Sequence, residues 1–166
     1  MRVDKQLLAD LIDERLPRST VHAIQSSFKD PDRFHTYIEL LQERVAWDDR
    51  IILPFGEHLY VVAKADGRRI VKCDCGHEFC EVEQNWKLEA LIHVRDTEDT
   101  LLEIFPRMMQ GDPRWSEIRE YFCPGCLTQL EVEAVPPGYP VVHDFVPDID
   151  GFYAEWLGRP IPSPTT

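Results

Sequence analysis

All five cysteines of this chain fall into two short clusters, Cys73-Asp74-Cys75-Gly76-His77-Glu78-Phe79-Cys80 and Cys123-Pro124-Gly125-Cys126. Two close cysteine pairs far apart in sequence are the pattern of a four-coordinate structural zinc site. Each pair straddles a tight bend, so that both sulfurs point to one place, and two bends facing each other complete a tetrahedron. Gly76, directly after Cys75, supplies the positive φ that such a bend demands. The flanking segments read as strands, so the whole resembles a zinc ribbon. Spacing favours Cys73, Cys75, Cys123 and Cys126 as the ligands. It leaves open Cys75 with Cys80 as the first pair, and His77 in place of one thiolate.

Two other readings fit less well. Buried free thiols are common one at a time, but not in two such clusters. A redox dithiol would need a thioredoxin-like βαβ setting around Cys123 and Cys126, and the flanks do not supply it. Four thiolates close the coordination shell, whereas a catalytic zinc keeps a position for water. The nucleobase-deaminase pattern needs His-x-Glu and then Pro-Cys-x-x-Cys; here His77 and Glu78 are adjacent and the second pair reads Cys-Pro-x-Cys. The zinc is therefore expected to be a structural clamp.

Other chemistry is sparse. There is no phosphate-binding Gly-x-x-x-x-Gly-Lys-Ser/Thr loop and no Gly-x-Ser-x-Gly elbow. His143-Asp144 reads as an ordinary hydrogen-bonded loop pair, and His93-Val94-Arg95-Asp96 as a charged turn. Charge excludes more than it suggests. Thirty acidic against eighteen basic residues leave −12 over 166 residues, which disfavours nucleic acid or an anionic membrane as the main partner. The start, Met1-Arg2-Val3-Asp4-Lys5, carries no apolar signal run. No stretch approaches the roughly 20 apolar residues of a membrane span. An odd number of cysteines is no disulfide framework. The cytoplasm is the expected compartment.

The expected fold class is α+β. Residues 1–49 form a helical N-terminal region, 50–135 a zinc-binding β-rich domain with an inserted helix, and 136–166 an extended C-terminal arm. Leu7, Leu8, Leu11, Ile12 and Leu16 follow a helical stripe that Pro17 ends. Ser19-Thr20 can cap a second helix to about Ser27. Asp30-Pro31 reads as N-cap and first helical position of a third helix running to Trp47. Ile51–Leu53 is a short apolar run. Leu59–Ala63 and Arg69–Lys72 flank Asp66-Gly67 as a hairpin. Trp86–Val94 alternates like a strand, Asp96 or Thr97 can cap a helix through Phe105, and Trp115–Glu120 can add a helical turn. Leu130, Val132 and Ala134 alternate as a strand. The Pro-rich end prevents long regular structure, yet Tyr139, Phe145, Phe152, Tyr153 and Trp156 make it too aromatic for a disordered tail. It reads as a strap, with a short helix near Ile149–Leu157, lying on its own domain or on a partner.

Longer strings carry a resemblance. They are Asp30-Pro31-Asp32-Arg33-Phe34, Leu41–Arg44 with Trp47–Pro54, the Cys73–Cys80 cluster, Asn85–Leu88, His93–Thr97, Ile118–Pro124, His143-Asp144-Phe145 and Gly151–Gly158. Together they resemble the gamma subunit of acetone carboxylase over nearly the whole chain. One departure is Leu127, which stands where a Gly is expected after the fourth cysteine. The resemblance implies a small non-catalytic subunit that carries zinc within a cytoplasmic ligase joining acetone and bicarbonate to acetoacetate at the expense of ATP. It implies alpha and beta large subunits of hydantoinase type, an (αβγ)2 assembly, and ATP/Mg and Mn sites on those partners only. The related acetophenone carboxylase also has a small subunit of this kind. The docked face is then expected to be aromatic and apolar, with the acidic excess turned to water.

Overall fold

The computed structural model of the chain describes residues 3–28 and 30–164. Met1 and Arg2 of the expected leaderless start, and the last two residues of the expected arm, lie outside the described residues. Helices and two small antiparallel sheets make an α+β fold. No helix among the described residues is long and apolar enough to cross a membrane.

Three helices come first: α1 (Lys5–Ile12), α2 (Arg18–Ser26) and α3 (Arg33–Gln42). Asp4 caps α1 by accepting from Leu7 N at 2.9 Å. Its apolar stripe continues to Leu16, but the helix stops at Ile12, because Glu14 takes a positive φ of 55° and turns the chain. Pro17, not Ser19, is the N-cap of α2. Asp30 instead holds the entry to α3, accepting from Asp32 N and Val3 N at 3.0 and 3.2 Å. That helix ends at Gln42 rather than Trp47, and the Gln42 side-chain amide fastens the loop that follows. It accepts from Ile51 N at 2.9 Å and donates to Asp49 O at 3.1 Å.

The first sheet runs β1 (Arg50–Pro54), β2 (Leu59–Ala63), β3 (Arg69–Cys73), β4 (Glu78–Glu81), each paired with the next. Both faces are covered, which is why its strands read as continuous apolar runs rather than alternating ones. Ile51, Tyr60, Val62 and Ile70 face Ile38 and Leu41 of α3. Ile52, Val61 and Val71 face Trp86, Tyr121, Ile149 and Tyr153 on the other side. Val3, Leu8, Ile24 and Leu40 form a third cluster among the helices.

The second sheet is β5 (Leu91–Arg95), β6 (Glu117–Phe122), β7 (Gln129–Val135). Three expectations need correction around it. Trp86–Glu89 is a 3-10 turn, capped by Asn85, and the strand begins only at Leu91; consecutive burial of Trp86 and Lys87 cannot occur on one half-exposed strand. The helix after Thr97 has the expected cap but covers only Glu98–Leu102 (α4). Of the segment expected to add a helical turn, Trp115–Glu120, the part from Glu117 onward belongs to β6, drawn extended by pairing with β5 and β7 at once.

Residues 136–148 and 158–164 carry no helix or strand; between them Ile149–Gly151 and the π-helical Phe152–Leu157 make a short helical stretch. Its inner side chains complete the chain's own core: Tyr153 Oη donates to Ile52 O at 2.8 Å, and the Phe145 and Phe55 rings lie 5.4 Å apart. The polar tie is Lys87. It is fully buried, with Nζ 2.6 Å from Glu131, 2.8 Å from Asp144 and 3.6 Å from Glu133. Burial works against its charge, but the Asp144 and Glu131 carboxylates overcome this and raise its pKa. One cation thus joins the 3-10 turn, β7 and the arm.

Breaking a buried ionic group by removing one partner is far costlier than never having built it. Lys87→Met keeps the stem but leaves Glu131, Glu133 and Asp144 facing each other without their cation. It should lower stability by about 2 kcal/mol, discounted because Asp144 is half exposed. Asp144→Asn should cost less, since Glu131 remains. Urea unfolding of both variants measures the difference.

Candidate metal centre

Each cysteine pair sits at the tip of a hairpin, one hairpin from each sheet. Cys73 ends β3, and the turn to β4 is closed by Gly76 N donating to Cys73 O at 2.9 Å and Cys73 N donating to His77 O at 2.8 Å. Gly76 has φ 99°, and a Cβ there would meet the Trp47 ring at 3.3 Å. Cys123 follows β6, and its turn is closed by Leu127 N donating to Cys123 O at 2.8 Å and Cys123 N donating to Thr128 O at 2.9 Å. Gly125 is required for a different reason: a Cβ there would lie 3.0 Å from His77 Cβ and 3.3 Å from Cys75 Sγ. The two tips face each other that closely.

The four sulfurs of Cys73, Cys75, Cys123 and Cys126 lie within 4.8 Å of one another. Two cross-hairpin separations are 3.8 Å for Cys73–Cys126 and 3.7 Å for Cys75–Cys123. A Zn–S bond of about 2.3 Å in a tetrahedron places sulfurs roughly 3.8 Å apart. The cluster therefore fits a metal ion such as zinc. Each hairpin contributes one buried and one exposed cysteine, so the group lies between core and solvent.

Surrounding groups prepare the sulfurs. Burial pushes the Cys73 and Cys75 thiols up, so protons leave them readily only when a cation replaces them. Cys126 goes the other way, down to about 7, through its hydrogen bond with Thr128 Oγ1 at 3.2 Å. Gly125 N donates to Cys123 Sγ at 3.4 Å. The first tip is braced through Asp74: its carbonyl accepts from Trp47 Nε1 at 2.9 Å, its N donates to His58 O at 3.0 Å, and its carboxylate meets His58 Nδ1 at 2.8 Å.

The remaining candidates are not among the clustered donors. Cys80 Sγ is directed to Gln84 O at 3.6 Å, and the His77 ring packs edge-on to Phe79 with centroids 4.9 Å apart. Asp144 is engaged by Lys87, so its charge serves that ion pair. Arg95 bridges Glu120 and Glu103 at 2.6 Å each, as a charged strand end should. His58, Trp47 and Thr128 were not legible as parts of the site. The first two reach it from the β1–β2 turn and the loop after α3, and nothing in their local sequence marks that approach. Thr128 had one weak signal, a hydroxyl two residues after a cysteine.

A family model described as acetone carboxylase gamma subunit matches residues 45–157, a span that holds all four cysteines. The chain is 52% identical to the acetone carboxylase gamma subunit of Xanthobacter autotrophicus, over 98% of its own length and 97% of that relative's. It is 33% identical to the acetophenone carboxylase beta subunit of Aromatoleum aromaticum, over 49% of its own length and 64% of that relative's.

Two outcomes test the centre. Cys75→Ser should lower bound zinc from roughly one per chain to a small fraction, and chelation of the wild type should lower its melting temperature, since binding to four thiolates is coupled to folding. Metal analysis and a thermal melt read both. Leu127 is held at φ 61° in the left-handed region, which costs a residue with a Cβ about 1–2 kcal/mol. Leu127→Gly should therefore raise stability by about 0.5–1 kcal/mol, after the entropy glycine loses on folding.

Proposed function

Because the chain belongs to the acetone carboxylase gamma-subunit family, we propose that it is the small zinc-holding subunit of an ATP-dependent carboxylase that joins acetone and bicarbonate to acetoacetate. Its partners are the alpha and beta large subunits, in an (αβγ)2 assembly in the cytoplasm. ATP/Mg and Mn belong to those subunits. Acetone is favoured over acetophenone as substrate because the acetone carboxylase match spans almost the whole chain at higher identity.

The observation that carries a non-catalytic role is the sulfur cluster. Cys73, Cys75, Cys123 and Cys126 supply four donors to a tetrahedral ion and leave no position for water or substrate. Zinc held there is a clamp between the two sheets. The helical region 1–49, the metal-holding region 50–135 and the arm 136–166 serve as base, clamp and strap of one subunit.

Co-expression with both large subunits tests this reading. The chain should co-purify with them in a complex of higher native mass, and ATP-dependent acetoacetate formation should require all three polypeptides. Recovery of the chain only as a free monomer, or full activity of the large subunits without it, would overturn the proposal.

A further inference from the structure

The edge strand β5 is exposed on both faces. Successive side chains of a strand point to opposite sides, yet Leu91, Ile92 and Val94 are 49%, 39% and 37% exposed. Among the described residues the strand pairs only with β6, so its other edge offers backbone N–H and C=O groups without a strand partner. Natural edge strands are usually blunted by charged side chains, Pro or a bulge; the Leu91–Arg95 segment has no Pro, its pairing with β6 is regular, and its one permanent charge, Arg95, is held by Glu103 and Glu120.

The connection that follows is equally unusual. A hairpin between β5 and β6 needs only about 2–5 residues, but residues 96–116 are spent there. They carry α4 and then present Met108, Met109 and Trp115 at 98%, 74% and 77% exposure. With ordinary side-chain areas, these three and the three of β5 expose on the order of 700 Å², near the roughly 800 Å² each partner buries in a standard interface. A contiguous patch of that size is more than a solitary chain usually leaves uncovered, and the connection runs from the end of β5 to the start of β6.

We propose that β5 and the 96–116 connection form the docking surface for a larger carboxylase subunit, whose contacting face is apolar with a basic rim. Charge selects this occupant. The strand and the connection carry Asp96, Glu98, Asp99, Glu103 and Asp112 against Arg95, Arg107 and Arg114; those three cations pair with Glu103, Glu98 and Asp112, and the acidic remainder is Asp96 and Asp99. A second copy would oppose acid to acid, each bringing a net −12. A larger subunit with basic side chains around an apolar centre matches both features. This inference rests on the reading of the chain as a carboxylase subunit.

The test uses the co-expressed complex, purified by a tag on a large subunit. Met108→Asp/Met109→Asp should reduce the co-purified chain at least tenfold, while Trp156→Asp, on the exposed side of the arm, should leave it within about twofold. Far-UV circular dichroism and zinc content verify that both variants fold. Wild-type chain retained together with undiminished Met108→Asp/Met109→Asp overturns the docking surface and leaves the subunit reading intact. Failure of the wild type to co-purify overturns that reading and this one with it. A self-dimer of the isolated chain that the Met108/Met109 variant dissolves would assign the surface to a second copy and overturn the proposal. If the variant does not fold, hydrogen exchange of the wild-type complex decides: amides of 91–95 and 98–116 should exchange at least tenfold more slowly than in the free chain, and equal rates would refute the surface.

Discussion

The meeting of two hairpin tips at four sulfurs is the constraint on which the rest of this fold depends. Among the described residues the sheets share no strand pairing. They are joined by the cluster around Trp86, Tyr121 and Tyr153 and by the junction of Cys73 and Cys75 with Cys123 and Cys126. Metal at such a site contributes apparent folding energy on the order of 10–16 kcal/mol in small peptides, as much as the whole net stability of an ordinary domain. The tolerances show how the chain is shaped around it. Gly125 leaves room for His77 and Cys75, Gly76 leaves room for Trp47, and Asp74 is held by three separate contacts.

The second constraint is electrostatic and lies close by. A chain this acidic can bury few cations, and where it does, each serves several carboxylates. Lys87 gathers Glu131, Glu133 and Asp144. Lys72 lies between Asp49 and Glu78 with Nζ 4.7 Å over the Trp47 ring. Arg119 contacts Glu117 and Glu133 and donates to Tyr139 O. Lys72 fastens β3 to the loop after α3 and to β4. Lys87 and Arg119 fasten the arm to the second sheet. The acidic excess is thereby drawn inward at a few points and otherwise left to solvent.

What the sequence made legible, and what it hid, follows from the range of each interaction. The cysteine pairs announce themselves because their geometry is local: two residues, a turn and a glycine. The fold class and the hairpin at Asp66-Gly67 were readable for the same reason. Helix ends were not, because they depend on remote demand. The loop after α3 is held by the Gln42 side chain, which reaches Asp49 and Ile51, and nothing near it says so. Trp86–Val94 mimics a strand by alternation, but burial of both Trp86 and Lys87 requires a turn. β6 looked helical in isolation and is extended only because β5 and β7 flank it. The ties of His58 and Trp47 to Asp74 are tertiary and have no local signature.

The hydrogen bond from Tyr153 to Ile52 spans 101 positions of sequence, about twice the 53 that separate Cys73 from Cys126. Loop-closure entropy and contact order set when such contacts can form. The sulfur junction closes the shorter loop, and it needs only residues up to Cys126. Ile149 and Tyr153, among the most buried side chains of the main core, come later in the chain. Every contact of the sulfur junction is therefore available once residue 126 exists, whereas the main core stays open along one flank until Ile149 and Tyr153 are in place. The arm is in this sense the last wall of the core.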